Sequence, residues 1–322
     1  MVFRILLRKY LYESMGLGIA LAIVLFVFPW VRIWTVSQFE LSGFAPLIEQ
    51  FRAFEKFSPV PLEQFLTYQG MIGLTFDEPV LLLCMLAWSI ARGSDVVSGE
   101  LGRGTMEMLL AQPVRRWQLL AAHAVVAVSG LAILSGLVFA GMALGIWTNA
   151  TPQRPSQNWV IPWVQWNIPL GTPSQELTWT PLSQLVEPSL YLAPTINLFA
   201  LGFAVLGLSV VISSFDQYRW RAIGVVIGVY VLQLLLFVLA KSTPRMSFLK
   251  PFTFLAAYQP DWMVQTVSHR PELTNSLWMP ESTSWDSVLG PLGYSLLLLG
   301  MGIACYAIAL WRLETRDLPA PH

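Results

Sequence analysis

Long apolar runs alternate along the chain with shorter polar or aromatic-rich segments. A helix that crosses a bilayer needs about 20 mostly apolar residues. Six stretches meet that length, near 14–36, 78–97, 119–147, 189–213, 221–240 and 289–311. The third is long enough to tilt or protrude. The second is the shortest in strictly apolar terms, from Val80 to Ala91. Asp77 followed by Pro79 marks its start, because Asp caps free N–H groups and Pro suits a first turn. The helix is expected to continue past Arg92 toward Val97. The first stretch follows Arg4, Arg8 and Lys9, as a secretory leader would. Its apolar run is too long, and it ends in Phe28-Pro29-Trp30-Val31-Arg32 without a small-x-small site. An uncleaved anchor is expected. The pattern predicts an all-α polytopic membrane protein with six transmembrane helices, in a single transmembrane domain over 1–322.

Composition supports this reading. Hydrophobic residues make up 55% and charged residues 12% of the 322 positions, and the mean hydropathy is +0.58. So few charges cannot cover a water-facing surface, which excludes an ordinary soluble enzyme and a disordered chain. The formal net charge is zero, so the electrostatic footprint of a nucleic-acid binder is missing. Cys84 and Cys305 both sit in apolar runs, as packed thiols do. Six crossings place both termini on one face. If that face is the cytoplasm, its four short segments hold eleven of the nineteen basic residues, including Arg92, Arg103, Arg115, Arg116, Arg219 and Arg221. Positive charge is then denser inside, which predicts cytoplasmic termini. Trp30, Trp34, Trp117, Trp147, Trp220 and Trp311 fall near helix ends, where amphipathic rings prefer the headgroup zone. Trp88 alone lies deep in a stretch.

Three longer segments, near 37–77, 148–188 and 241–288, are then outer loops. In Phe44–Phe57, the residues Leu47, Ile48, Phe51 and Phe54 recur at helical spacing. That fits either a helix lying at the membrane surface or one packed on the bundle. The 148–188 loop carries Trp159, Trp163, Trp166 and Trp179 among prolines, which predicts an irregular loop ordered by aromatic packing. Asn149-Ala-Thr151 matches a glycosylation sequon, a pattern common by chance.

Chemical motifs are scarce. None of the four lysines follows a glycine, so the phosphate-cradling GxxxxGK[ST] loop is absent and the chain cannot hydrolyse ATP by that route. The three histidines show no paired metal-ligand spacing. His123 reads as a packing residue and the Asp77–Glu78 pair as a helix start, ahead of ion sites. Gly141–Gly145 and Gly224–Gly228 form GxxxG patterns, expected to pack within the bundle.

One inner segment, 98–116, has more structure than a plain connection needs. Gly99, Gly102 and Gly104 allow sharp bends. Thr105 can cap a short helix with Met106, Leu109 and Leu110 on one face, which Pro113 ends. Arg115 and Arg116 follow at the interface. A surface helix that stabilises the bundle and a docking helix for a soluble partner both fit these residues.

The run Ser98-Gly99-Glu100, Gly104-Thr105, Leu109-Leu110-Ala111, Pro113-Val114 and Arg116 closely resembles a segment of the permease subunits of ABC type-2 exporters. It falls where that family has it, after the second of six spans. The nearest likeness is to the subgroup that includes the permease for nitrous-oxide-reductase maturation. The tail Arg316–Pro321 also resembles the basic, Pro-ended tail of some of these permeases. The chain departs from the family where a charged residue often replaces Gly102, and its outer loops look longer than in the minimal permease. The resemblance implies two permease subunits, as a homodimer or with a related permease, in a bacterial plasma (inner) membrane. Below them sit separate ATP-binding cassette subunits that bind ATP and Mg. It makes Ser98, Gly99, Glu100, Arg103, Gly104, Thr105, Leu109, Leu110, Pro113, Arg115 and Arg116 the candidate ATPase-coupling residues. In that scheme Glu100 and Arg103 offer polar contacts and Leu109 and Leu110 apolar ones. Residues 1–12 are then either an amphipathic leading helix or a basic flank that sets topology. A stand-alone secondary transporter or channel, and a non-transporting scaffold moved by an ATPase, remain as alternatives. The cargo is not legible.

Overall fold

The computed structural model describes residues 2–39, 67–105, 115–153, 156–161, 166–173, 178–242, 244–279 and 289–315. Six of its helices are long and apolar enough to cross a membrane. The first, α1, is continuous over Val2–Ser37. The second crossing is a composite. It runs through α2 (Tyr68–Gly73), a 3-10 turn (Leu74–Asp77) and α3 (Pro79–Ser94), then a π turn (Asp95–Gly99) and a last α turn (Glu100–Gly102). The others are α4 (Arg116–Thr148), α5 (Leu192–Phe215), α6 (Arg219–Ser242) and α8 (Pro291–Thr315). A shorter helix, α7 (Pro260–His269), lies in the connection between α6 and α8. The all-α, six-span class holds. The membrane face that carries the ends of α1 and α8 is called the terminal face below.

One expectation about a helix start is revised. Residues 2–12 form the first turns of α1 and bury Leu6 and Tyr10 while Arg4 and Ile5 stay exposed. Asp77 does not cap the second span. It ends the 3-10 turn, and the N-cap of α3 is Glu78, whose carboxylate takes Arg32 at 3.1 Å instead of a backbone amide.

Lipid tails are as apolar as leucine, so membrane helices associate through close packing and interhelical hydrogen bonds. Both devices are visible here. At Gly141 and Gly145, α4 comes against α1, with the Phe26 carbonyl and the Ile33 side chain where a Cβ would stand. The Trp88 ring of α3 fills a slot opened by Gly18 and Gly130, and its indole N–H donates to the Ala127 carbonyl at 3.0 Å. Gly207 of α5 and Gly302 of α8 interlock in the same way. Hydroxyls join α3 to α5: Ser89 donates to the Gly202 carbonyl at 2.9 Å and Ser209 to Ile90 at 3.3 Å. The centre of the bundle is α5, whose most apolar stretch is 67% buried, against 11% for α6 at the edge. The second GxxxG pattern does not pack internally as expected. Gly224 and Gly228 of α6 have nothing within contact distance and face outward.

The face opposite the termini is covered by connections. The segment after α4 pairs β1 (Ala150–Gln153) with β4 (Thr178–Pro181), and β2 (Ser156–Ile161) with β3 (Trp166–Pro173), both antiparallel. Backbone pairing orders this loop, where an irregular chain was expected, and Trp179 is 62% exposed. Asn149 uses its amide to close α4, donating to the Gly145 carbonyl at 2.7 Å. Buried Asn197 of α5 binds the Ala257 carbonyl at 3.1 Å and Ser295 of α8 at 3.3 Å. Tyr258 donates to the Phe76 carbonyl at 2.7 Å and Tyr191 to that of Gln69 at 3.0 Å. The segment 44–57 and the 316–321 tail lie outside the described residues.

The α1–α4 contact yields a direct test. Gly141→Leu must push α1 away and should cost about 1–3 kcal/mol, read as a lowered melting temperature in detergent. Gly136→Leu, on the exposed face of the same helix, should melt with the wild type.

Candidate functional site

The second crossing ends on the terminal face in a buried ionic cluster. Its centre is Asp95, the first residue of the π turn, with a side chain only 4% exposed. Oδ2 accepts from Arg92 at 3.1 Å, while Oδ1 takes Arg103 at 2.9 Å and Arg219 at 3.2 Å. One helical turn on, the Glu100 side chain is fully buried. It accepts from Lys9 at 2.7 Å, from Arg103 at 3.1 Å and from the Thr105 hydroxyl. Lys9 also approaches Glu13 at 3.8 Å. Arg103 therefore bridges both acids. Burial works against its charge, but the hydrogen bond to Asp95 and the fields of Asp95 and Glu100 outweigh that and raise its pKa above the usual arginine value.

The elements that place these groups explain the arrangement. A π turn carries an extra residue, so the regular hydrogen-bond ladder is interrupted. The Val97 and Ser98 amides both donate to Ser213 Oγ of α5, at 3.3 and 3.0 Å. Ser98 Oγ lies 3.0 Å from Ser213 Oγ and donates to the Ser94 carbonyl at 2.7 Å. Gly99 leaves room for the Asp95 carboxylate, which would collide with a Cβ there. Lys9 comes from α1 and Arg219 from the head of α6, which also donates to the Ala91 carbonyl at 3.3 Å. The 95–105 segment is thus tied to α1, α3, α5 and α6. Arg116 completes the collar, donating to the Leu313 carbonyl at the end of α8 at 2.9 Å, where a cation also meets the negative end of the helix dipole.

The expected coupling residues divide by place. Ser98, Gly99 and Glu100 are buried and hold the segment to the bundle. Glu100 therefore offers no polar surface to a partner, contrary to expectation. Its charge is spent on Lys9, Arg103 and Thr105. Gly102, Arg103 and Gly104 are exposed. Of the three glycines expected to bend the chain, only Gly104 takes a left-handed backbone, at φ 70°. Gly99 and Gly102 stay helical. Arg115 caps α4 with its backbone, donating to Gln118 Oε1 at 3.2 Å. Leu109, Leu110 and Pro113 lie outside the described residues.

Sequence reasoning passed over Lys9, Arg92, Asp95, Ser213 and Arg219 as site residues. The signal available was Asp95 itself, an acid on the continuation of an apolar span and three residues after an arginine. Ionisable groups in such places are retained for partners or function. His123, read as a packing residue, is indeed buried and sets its ring edge-on to Tyr10 at 5.2 Å. Neither of its ring nitrogens makes a hydrogen bond.

Six apolar helices, close glycine packing and a charged collar at one membrane face define a multi-pass membrane protein. Residues 5–318 match the family described as ABC-2 family transporter protein, and the chain belongs to that family. It is therefore a permease-type membrane component of an ATP-binding cassette transporter. No curated protein matches it.

Breaking a buried ion pair from one side costs about 3–5 kcal/mol. Asp95→Asn, which strands Arg92, should abolish or sharply lower monodisperse yield in size-exclusion chromatography. Arg103→Gln, at the 40% exposed edge of the cluster, should cost clearly less.

Proposed function

We propose that this chain is the membrane-spanning subunit of an ATP-driven exporter, moved by a separate ATPase that docks under the 98–116 segment. The observation that carries this is the charged collar. A force on the segment at Gly102–Gly104 reaches α1 through Lys9–Glu100, α6 through Asp95–Arg219 and α5 through Ser213. Leu109 and Leu110 supply the apolar contact in this reading, and Arg103 joins the exposed edge to the buried acids. ATP and Mg bind to the partner. The terminal face is cytoplasmic, in keeping with its denser positive charge. The membrane is the plasma membrane of a bacterium, and the likeness of the 98–116 segment favours the nitrous-oxide-reductase maturation subgroup.

The exposed flank suggests the second subunit. The outward Gly224 and Gly228 allow close approach to α6, and the apolar stretch of α1 is only 17% buried. A second copy of the chain, or a related permease, seats against this flank.

Two measurements test the reading. Tagged wild-type protein purified in mild detergent should carry an ATP-binding cassette subunit, identified by mass, and ATPase activity. Leu109→Asp should lose both. Purification without an ATPase, with Leu109→Asp behaving as wild type, would make the chain a stand-alone transporter. Separately, Val225→Cys, in a background without Cys84 and Cys305, should form a disulfide-linked dimer in native membranes. A monomer under oxidising conditions would remove α6 from the subunit interface.

A further inference from the structure

At the membrane face opposite the collar, Asp77 and Asp261 line a cavity of about 470 Å³ together with Lys241 and Lys250. Asp77 ends the 3-10 turn before α3, and Asp261 lies in the first turn of α7. Both carboxyls face the same cavity, close enough for each to act on the other's charge. Asp261 Oδ1 is buried without a hydrogen-bond partner. Burial pushes the Asp261 carboxyl up, opposed by the contact with Asp77 and by Lys241.

The remaining wall is mostly apolar, with Gln259 and Gln265 as neutral polar groups, and α6 supplies one side of it. Tyr230, Leu234, Phe237 and Lys241 follow one another at four-, three- and four-residue steps along that helix and all line the cavity. The Lys241 ammonium sits 4.7 Å over the Phe237 ring. Beside this stripe, Leu235 and Val238 are exposed at the edge of the bundle, where acyl chains run. The charged lining is thus two carboxyls and two ammonium groups, beside a lipid-facing helix. Such a lining opposes a lone anion or a bare metal ion and complements a zwitterion. Among the described residues no group of three or more His, Cys, Asp or Glu side chains could hold a metal.

We propose that this cavity binds the headgroup of an aminophospholipid, with its primary ammonium on Asp77 and Asp261 and its phosphate toward Lys241. An ammonium between the two carboxyls donates charge-assisted hydrogen bonds to both. A quaternary ammonium has no N–H to donate, so phosphatidylcholine is discriminated against. The inference does not depend on the ATPase reading, because binding needs no hydrolysis.

The test is native mass spectrometry of the full chain, released from detergent with equimolar phosphatidylethanolamine, phosphatidylcholine and phosphatidylglycerol. Phosphatidylethanolamine adducts should exceed those of phosphatidylcholine by about tenfold. Asp77→Asn and Asp261→Asn should reduce them to the phosphatidylcholine level, while the exposed Glu272→Gln leaves them unchanged. If the aspartate variants do not fold, Lys241→Glu serves and should also reduce the phosphatidylethanolamine adducts. Equal retention of the two lipids by the wild type, or no loss in any cavity variant, overturns the proposal. So does equally strong competition by glycerophosphoethanolamine, which has no acyl chains and would mark a site for a free solute.

Discussion

The ionisation of one carboxylate governs the terminal half of this bundle. Asp95 is nearly inaccessible to water, and a lone charge there would cost several kcal/mol. Three guanidinium groups satisfy it, from α3, from the segment that follows and from α6. Arg92, buried beside it, needs Asp95 in turn, so neither α3 nor the elements that bring Arg103 and Arg219 can move away without leaving Asp95 short of a partner. Glu100 repeats the arrangement one turn later and brings in α1. The π turn, the glycine beside the carboxylate and the serine that receives two amides all serve this geometry.

The opposite face is held by a different kind of contact. There the links described are mostly neutral, from Asn197, Tyr191 and Tyr258 to backbone carbonyls. Neutral hydrogen bonds contribute about 0.5–1.5 kcal/mol each and tolerate exchange, whereas buried charge pairs resist separation. The bundle is thus closed by buried charge pairs at the terminal face and mostly by neutral bonds at the opposite one. In the proposed exporter, that asymmetry would let force enter at one face and opening occur at the other.

Much of the architecture was legible because apolar run length is an almost direct readout of spans in a bilayer. Family membership was legible from the 98–116 segment. Site geometry was less so. Glu100 sits in a motif that suggested a contact surface, yet it turns inward, where it meets Lys9 of α1, a partner 91 positions away that local periodicity cannot bring to it. Lys9 and Arg219 were read as topology signals, a role the same charges can hold while also closing the cluster. The pairing of Asp77 with Asp261 crosses 184 positions and depends on how the α6–α8 connection folds back, which local pattern does not encode. The β pairing after α4 was hidden by prolines and tryptophans that usually signal irregular chain.

The π turn also sets an angular phase. In an α-helix each residue advances about 100° around the axis, so the extra residue in Asp95–Gly99 rotates everything after it by roughly that amount relative to a regular continuation of α3. With the insertion, Glu100 points into the bundle and meets Lys9. Without it, the same carboxylate would sweep away from Lys9. A single residue of helical register thus acts as an aiming device. It decides which side chains lock the second span to its neighbours and which way the exposed Gly102–Gly104 turn faces.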